Sequence, residues 1–138
     1  LAGVLIHAEE KLCEQGSEPE NLLVAIGPAL GPCCYELAEP QLAEIARNPA
    51  LARGLRWHRQ QPVNGEAQRP QATARQQGVW FDLPALATQM LVDAGVPAAQ
   101  IDNVGVCTYC MAESGSSYRF NTHTGSGYHS RYSWIRRR

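Results

Sequence analysis

The sequence predicts an α/β (α+β) chain, and three observations predict it. Residues 1–14 space their apolar side chains as a helix does. Two short apolar runs, "LLVAIG" (22–27) and "VWFDL" (79–83), are bounded by turn formers as buried strands are. Helix-like and strand-like stretches then follow one another in the order α, β, α, loop, β, α, β, β, with no internal repeat.

Each element has a local reason. Leu1, Val4, Leu5, Ala8 and Leu12 fall at i, i+3, i+4, i+7 and i+11, one apolar helical face, and Gly16 supplies a stop. "LLVAIG" ends in Gly-Pro, which suits a buried strand entering a loop. "GPALGPCCYE" (27–36) carries two Gly-Pro pairs, so the backbone turns sharply there. Residues 36–46 read as a second helix burying Leu37, Leu42 and Ile45. From Arg59 to Gly78 the chain has no aromatic residue, little aliphatic bulk and many Gln and Arg. It cannot bury much surface, so 59–78 reads as a long mobile loop, a disordered insertion in preference to a flap over a site. "VWFDL" is the next strand, and Pro84 opens the helix after it. Leu86, Met90 and Leu91 stripe that helix, and Gly95 ends it. "VPAAQIDNVGVCTYC" (96–110) reads as a turn and a buried strand, and the Gly- and Ser-rich remainder as short strands and turns.

Composition excludes several classes of function. The chain is 44% apolar and 18% charged, which is globular rather than disordered. No apolar run approaches the roughly 20 residues of a membrane span. No cationic segment followed by an apolar stretch marks a signal peptide. Leu1 stands where a Met would open a chain, so it reads as an internal position of a longer protein. Residues 1–46 hold eight of the 13 acids, and all eleven Arg lie in residues 47–138. The closing "RYSWIRRR" (131–138) reads as a solvated basic end that gives no specific nucleic-acid partner.

The five cysteines are Cys13, Cys33, Cys34, Cys107 and Cys110. An odd count without a secretion signal points to reduced thiols and a cytoplasmic protein. Cys107, Cys110, His123 and His129 follow C-x2-C-x12-H-x5-H, the ligand spacing of a C2H2 zinc finger. A finger needs a helix under its histidines. Gly115, Gly125 and Gly127 oppose one, because each mid-helix Gly costs about 1 kcal/mol relative to Ala. A non-enzymatic zinc-finger-like nucleic-acid-binding module on these four residues is therefore the alternative reading, and no metal ligand is expected on this chain. Cys107 ends a strand-like run rather than opening a helix, so a redox C-x-x-C is not expected either. His7 reads as a surface or satisfied histidine rather than a ligand, and His58, beside the 59–78 loop, carries no signal.

Three stretches together resemble one family. "AIGPALGPCCYEL" (25–37) is similar to its "GPxIGxxCYEV" segment, "FDLPALATQMLVDAGVPAAQI" (81–101) to its "LDLxxxxxxQLxxxGVxxxxI" segment, and "CTYC…SYR" (107–119) to its "CT…FFSYRR" close. These belong to the laccase-domain proteins, also called the multicopper polyphenol oxidase or purine nucleoside phosphorylase family. The resemblance implies mixed sheets flanked by helices in a layered fold, with residues 1–138 as its C-terminal part. It implies a zinc-dependent purine nucleoside phosphorylase with adenosine deaminase activity, acting on adenosine, inosine or methylthioadenosine together with phosphate. Zinc is expected in the full-length parent in preference to copper, on two His and one Cys lying upstream of Leu1. No catalytic residue is then expected here. Cys34, Tyr35 and Arg119 are the expected substrate contacts, Arg119 for an anion, with the vicinal thiols shaping the pocket wall. Phe120 and Ser126 depart from the family's "RR" and "TGR", which removes two arginines from that end of the motif.

Overall fold

The structure, a computed structural model, describes residues 2–111, 117–127 and 134. Helix α1 spans Ala2–Glu14 and strand β1 Val24–Ile26. Strand β2 (Glu36–Leu37) leads into helices α2 (Glu39–Ala46) and α3 (Pro49–Ala52), followed by strand β3 (Trp57–His58). Strand β4 (Val79–Phe81), helix α4 (Leu83–Asp93), strand β5 (Ile101–Asn103) and helix α5 (Tyr118–Thr124) complete the order. The fold is mixed α/β, as the alternation predicts.

Two small sheets organise it. β1 and β5 pair in parallel, with Val24 opposite Ile101 and Ile26 opposite Asn103. β2, β4 and β3 form an antiparallel sheet in that order, with Glu36 opposite Trp80 and Trp57 opposite Phe81. Gly78, beside β4, has no alternative. A Cβ there would lie 1.9 Å from the Leu37 carbonyl oxygen, so the close approach of β2 requires glycine.

The signals around α4 are realised in full. Asp82 caps it by accepting the Ala85 N–H at 3.0 Å, Pro84 occupies its first turn, and Gly95 follows its end with φ +100°. Leu86, Met90 and Leu91 are buried. Leu86 and Met90 join Leu37 and Phe81 in a core to which Leu5, Ile6, Leu42, Ile45 and Tyr35 add partly buried surface. α1 packs against α4.

Four expectations need correction. The buried side of α1 is built on Leu5 and Ile6, while Val4 (73% exposed) and Leu12 (44%) face outward. Leu37 is buried from a strand, because Glu36 and Leu37 pair with β4 before Pro40 opens α2. Gln41 caps that helix by accepting the Ala38 N–H at 3.2 Å. β1 and β5 are only partly covered, since the described residues give this parallel sheet two strands and nothing that encloses both faces. The region after Cys110 contains α5 rather than only strands and turns. Ser117 accepts the Phe120 N–H at 3.2 Å to cap it, and Gly125, at φ +69°, ends it. Gly125 and Gly127 thus follow this helix instead of interrupting it.

The segment 59–78 contains no helix or strand, yet it is tied down along its length. The Gln61 side chain donates to the carbonyls of Cys33 and Ala72, Arg69 donates to the Thr108 carbonyl at 2.6 Å, and the Gln68 N–H reaches the Cys110 carbonyl at 3.2 Å. Its polar side chains replace the apolar burial that it lacks. Glu36 holds its far end, with the carboxylate accepting the N–H groups of Arg75 (2.7 Å), Gln76 (3.0 Å) and Gly78 (3.1 Å).

Candidate metal centre and adjoining cleft

Parallel strands deliver their following loops to the same end of a sheet. β1 continues into the Gly-Pro loop that carries Cys33 and Cys34, and β5 into the loop that carries Cys107 and Cys110. The two loops stay paired beyond the strands. The Ala29 N–H donates to the Val106 carbonyl at 3.1 Å, and the Thr108 N–H to the Ala29 carbonyl at 2.9 Å. Residues more than seventy positions apart are thereby brought together at the carboxyl end of the sheet, the usual location of ligand sites in α/β proteins.

There the four thiols meet. The sulfurs of Cys33, Cys34, Cys107 and Cys110 all lie within 4.8 Å of one another, and all four residues are buried. Cys34 Sγ is 3.4 Å and Cys33 Sγ 3.8 Å from Cys110 Sγ. No disulfide joins them. The C-x2-C turn is closed by the Cys110 and Met111 N–H groups, each 3.0 Å from the Cys107 carbonyl. The Gly31 N–H points at Cys107 Sγ from 3.4 Å. Ala72 and Tyr109 complete this second core, and Leu30, Ala67 and Phe120 pack against it.

The thiols share protons unequally. The neighbouring Cys33 and Cys34 thiols, with the Gly31 N–H, pull Cys107 below the usual thiol value. Hydrogen bonding to Cys107 pushes Cys33 up to about 12 and raises Cys34 as well. Burial raises Cys110.

The sequence spacing grouped Cys107 and Cys110 with His123 and His129. The structure gives the two cysteines other neighbours, Cys33 and Cys34. His123 does sit on a helix, but its Nδ1 lies 3.2 Å from the Tyr109 hydroxyl. Burial, then the charges of Arg75 and Arg119, hold its imidazole below the usual value. His129 lies outside the described residues, as do Gly115 and most of the basic tail. Sequence reasoning missed the four-cysteine group because its halves are far apart in the chain. The available signal was arithmetic: a vicinal pair and a C-x2-C, each following a strand-like run, with only Cys13 left over.

Beside the cluster lies a cleft of about 440 Å³, lined by Asn64, Glu66, Gln68, Val106, Cys107 and Met111 among others. None of the expected substrate contacts, Cys34, Tyr35 and Arg119, is among the residues that line this cleft. Cys34 has no exposed surface (0%), so its sulfur meets other thiols rather than a solute. Tyr35 packs edge-on against Phe81, with ring centroids 5.6 Å apart. Arg119 donates from Nη1 to the Glu36 carbonyl at 3.0 Å, and its guanidinium carbon lies 5.0 Å from the Tyr35 ring centroid. The expected anion contact is thus already positioned by β2 and its flanking tyrosine, with further N–H donors remaining on the guanidinium.

No helix among the described residues is long and apolar enough to cross a membrane. The family described as multi-copper polyphenol oxidoreductase laccase matches residues 1–135. Among solved structures, that of the Bacillus licheniformis hypothetical protein YfiH is similar at 26% identity and a TM-score of 0.56, covering 78% of this chain. The match takes in 36% of the YfiH chain, so this chain spans well under half of that relative. No curated protein matches significantly.

Proposed function

Because the chain belongs to the multi-copper polyphenol oxidoreductase laccase family, we propose that it forms the C-terminal part of a zinc-dependent purine nucleoside phosphorylase that also deaminates adenosine. The observation that supports a small-molecule site is the cleft at the carboxyl end of the parallel pair, about 440 Å³ in volume. That is within the roughly 300–1,000 Å³ of ordinary ligand pockets. A nucleoside is the proposed occupant, with phosphate held by Arg119 beyond the residues that line the cleft.

The catalytic metal that the family implies does not fit the residues at hand. A metal that activates water or substrate needs an open coordination position, and four thiolates around one ion leave none. Laccase copper chemistry calls for imidazole-rich ligand sets. The described residues bring together no group of three or more potential ligands that includes a histidine. No step is therefore assigned to metal on this chain.

The chain's own proposed contributions are substrate positioning and charge. Arg119 takes the phosphate, whose oxygen attacks C1′ of the ribose while the purine leaves with the glycosidic electron pair. Tyr35 fixes the guanidinium plane, and Cys34 supports the wall from behind. A fork-shaped guanidinium binds phosphate through two parallel hydrogen bonds, which an ammonium cannot reproduce.

The test is chromatographic assay of the full-length protein with inosine and adenosine, with and without phosphate. Free base and ribose 1-phosphate are expected, with inosine as a further product from adenosine. Absence of both phosphorolysis and deamination in the zinc-loaded protein removes this reading.

A further inference from the structure

We propose that Cys33, Cys34, Cys107 and Cys110 form a closed structural zinc site that clamps the loop after β1 to the loop after β5. The proposal rests on the thiol geometry and not on the proposed reaction, although Cys107 and Cys110 also border the cleft.

Geometry is the first support. A regular tetrahedron with zinc–sulfur bonds of about 2.3 Å has sulfur–sulfur edges of about 3.8 Å. The Cys33–Cys110 and Cys34–Cys110 separations are 3.8 and 3.4 Å, and every edge is below 4.8 Å. The sulfurs thus already stand close to the corners that one ion requires. Iron–sulfur clusters place two or four irons and bridging sulfides between their cysteines, which calls for a wider cage.

Chemistry is the second. Four soft thiolates exclude magnesium and calcium, and the tetrahedral arrangement suits an ion without geometric preference of its own. The surroundings complete the design. The Gly31 N–H directed at Cys107 Sγ, and the Asn64 amide 3.9 Å from Cys33 Sγ, are donors of the kind that orient and stabilise metal-bound thiolates. Asn64 comes from the 59–78 segment, so the strap reaches the cluster directly.

The third is the poor alternative. Without an ion, this core consists of four thiols, one alanine and one tyrosine, with no buried aliphatic side chain larger than Ala. It is a weak hydrophobic anchor for two loops and a strap. A shared ion converts it into a covalent-strength cross-link. The proton balance is explicit. Zinc forms four zinc–sulfur bonds, and each thiol that binds as a thiolate passes its proton to solvent.

The experiment uses the reduced, purified chain. Metal analysis should find one zinc per chain. Replacement by cobalt should give intense thiolate-to-cobalt charge-transfer absorption and the visible bands of a tetrahedral site. Zinc titration in weak buffer should release protons in step with binding and stop at one ion per chain. Cys110→Ser should lose the charge-transfer intensity, whereas Cys13→Ser should keep it, because Cys13 lies on α1 and hydrogen-bonds Glu9. If Cys110→Ser does not fold, the wild-type cobalt spectrum and metal stoichiometry still decide. A reduced wild-type chain that binds no zinc, gives no charge-transfer band, or retains iron or copper in preference overturns the proposal. Nucleoside turnover is not a readout here, so failure of the zinc site and failure of the phosphorylase reading remain distinct.

Discussion

Glu36→Gln is the sharpest test of how the 59–78 strap is held. Glu36 is 5% exposed, and its carboxylate accepts three backbone N–H groups from the strap's far end. The best that glutamine can do is keep its carbonyl oxygen toward Gln76 and Gly78. Its amide then faces the Arg75 N–H, donor against donor, in place of the shortest of the three bonds. A hydrogen bond to a charged group contributes about 1.5–3 kcal/mol, and the two surviving bonds weaken as their acceptor becomes neutral, so the total loss is roughly 3 kcal/mol. For 138 residues that corresponds to a fall in Tm of roughly 10 °C.

The pH dependence separates charge from shape. Burial pushes the Glu36 carboxyl up, but the N–H groups of Arg75, Gly78 and Gln76 and the Arg119 charge outweigh it, leaving the pKa below the ordinary 4.5. A depressed folded pKa contributes stability that is complete above the unfolded value and lost as pH falls through the folded one. Thermal melts followed by circular dichroism and tryptophan fluorescence should therefore show the full gap between wild type and Glu36→Gln at pH 7. The gap should persist near pH 4.5 and close only below it. Equal melting at pH 7 refutes the anchor, and a gap that stays constant into strong acid refutes the role of the charge.

Other substitutions probe the remaining supports. Gly78→Ala drives a Cβ into the Leu37 backbone and should cost roughly 1–3 kcal/mol or more by urea denaturation, since neither strand can retreat without losing the ladder. Met90→Ala, in the core beneath α4, should cost about 2–5 kcal/mol in the same assay. Asp82→Ala removes the α4 cap and should cost about 1 kcal/mol. Arg119→Lys in the full-length protein should raise the phosphate concentration needed for phosphorolysis while leaving the melting temperature nearly unchanged; unaltered phosphate dependence removes Arg119 from the site.

The legible parts of this sequence were those whose causes are local. Asp82, Pro84, the stripe of Leu86, Met90 and Leu91, and Gly95 announce α4 without tertiary help, and all act as read. α5 is obscured in the sequence because Gly125 resembles a breaker inside a helix, whereas it is the residue that ends one. The family segments were legible as motifs, and the family match over residues 1–135 agrees with them. The site was not legible in the same way. Cys107 and Cys110 had histidines at plausible local spacing, whereas their actual neighbours depend on β1 and β5 pairing in parallel, a register that no local pattern encodes. Glu36 gave no signal at all, because its partners are main-chain groups some forty residues away.

The thiol cluster and the cleft share a wall, and that gives the proposed ion a consequence beyond stability. Cys107 and Cys110 are buried in the cluster and also border the cleft, whose other side is formed by Asn64, Glu66 and Gln68 from the strap. The strap has almost no apolar anchorage of its own. It relies on Gln61, Arg69 and Glu36 bonding to main-chain groups, and two of those anchors end on the cysteine loops themselves, at the Cys33 and Thr108 carbonyls. Movement of either loop therefore displaces the strap's attachment points and the cleft wall together. An ion bound by all four thiols fixes the two loops relative to each other, and through those carbonyls it fixes the strap. On this account, chelation should raise amide hydrogen exchange in 59–78 and 105–111 together while leaving α4 protected, because α4 belongs to the other core. Exchange that rises uniformly across α4 and the strap would mean that the ion holds the whole fold, and exchange that rises in neither would mean that the loops need no clamp.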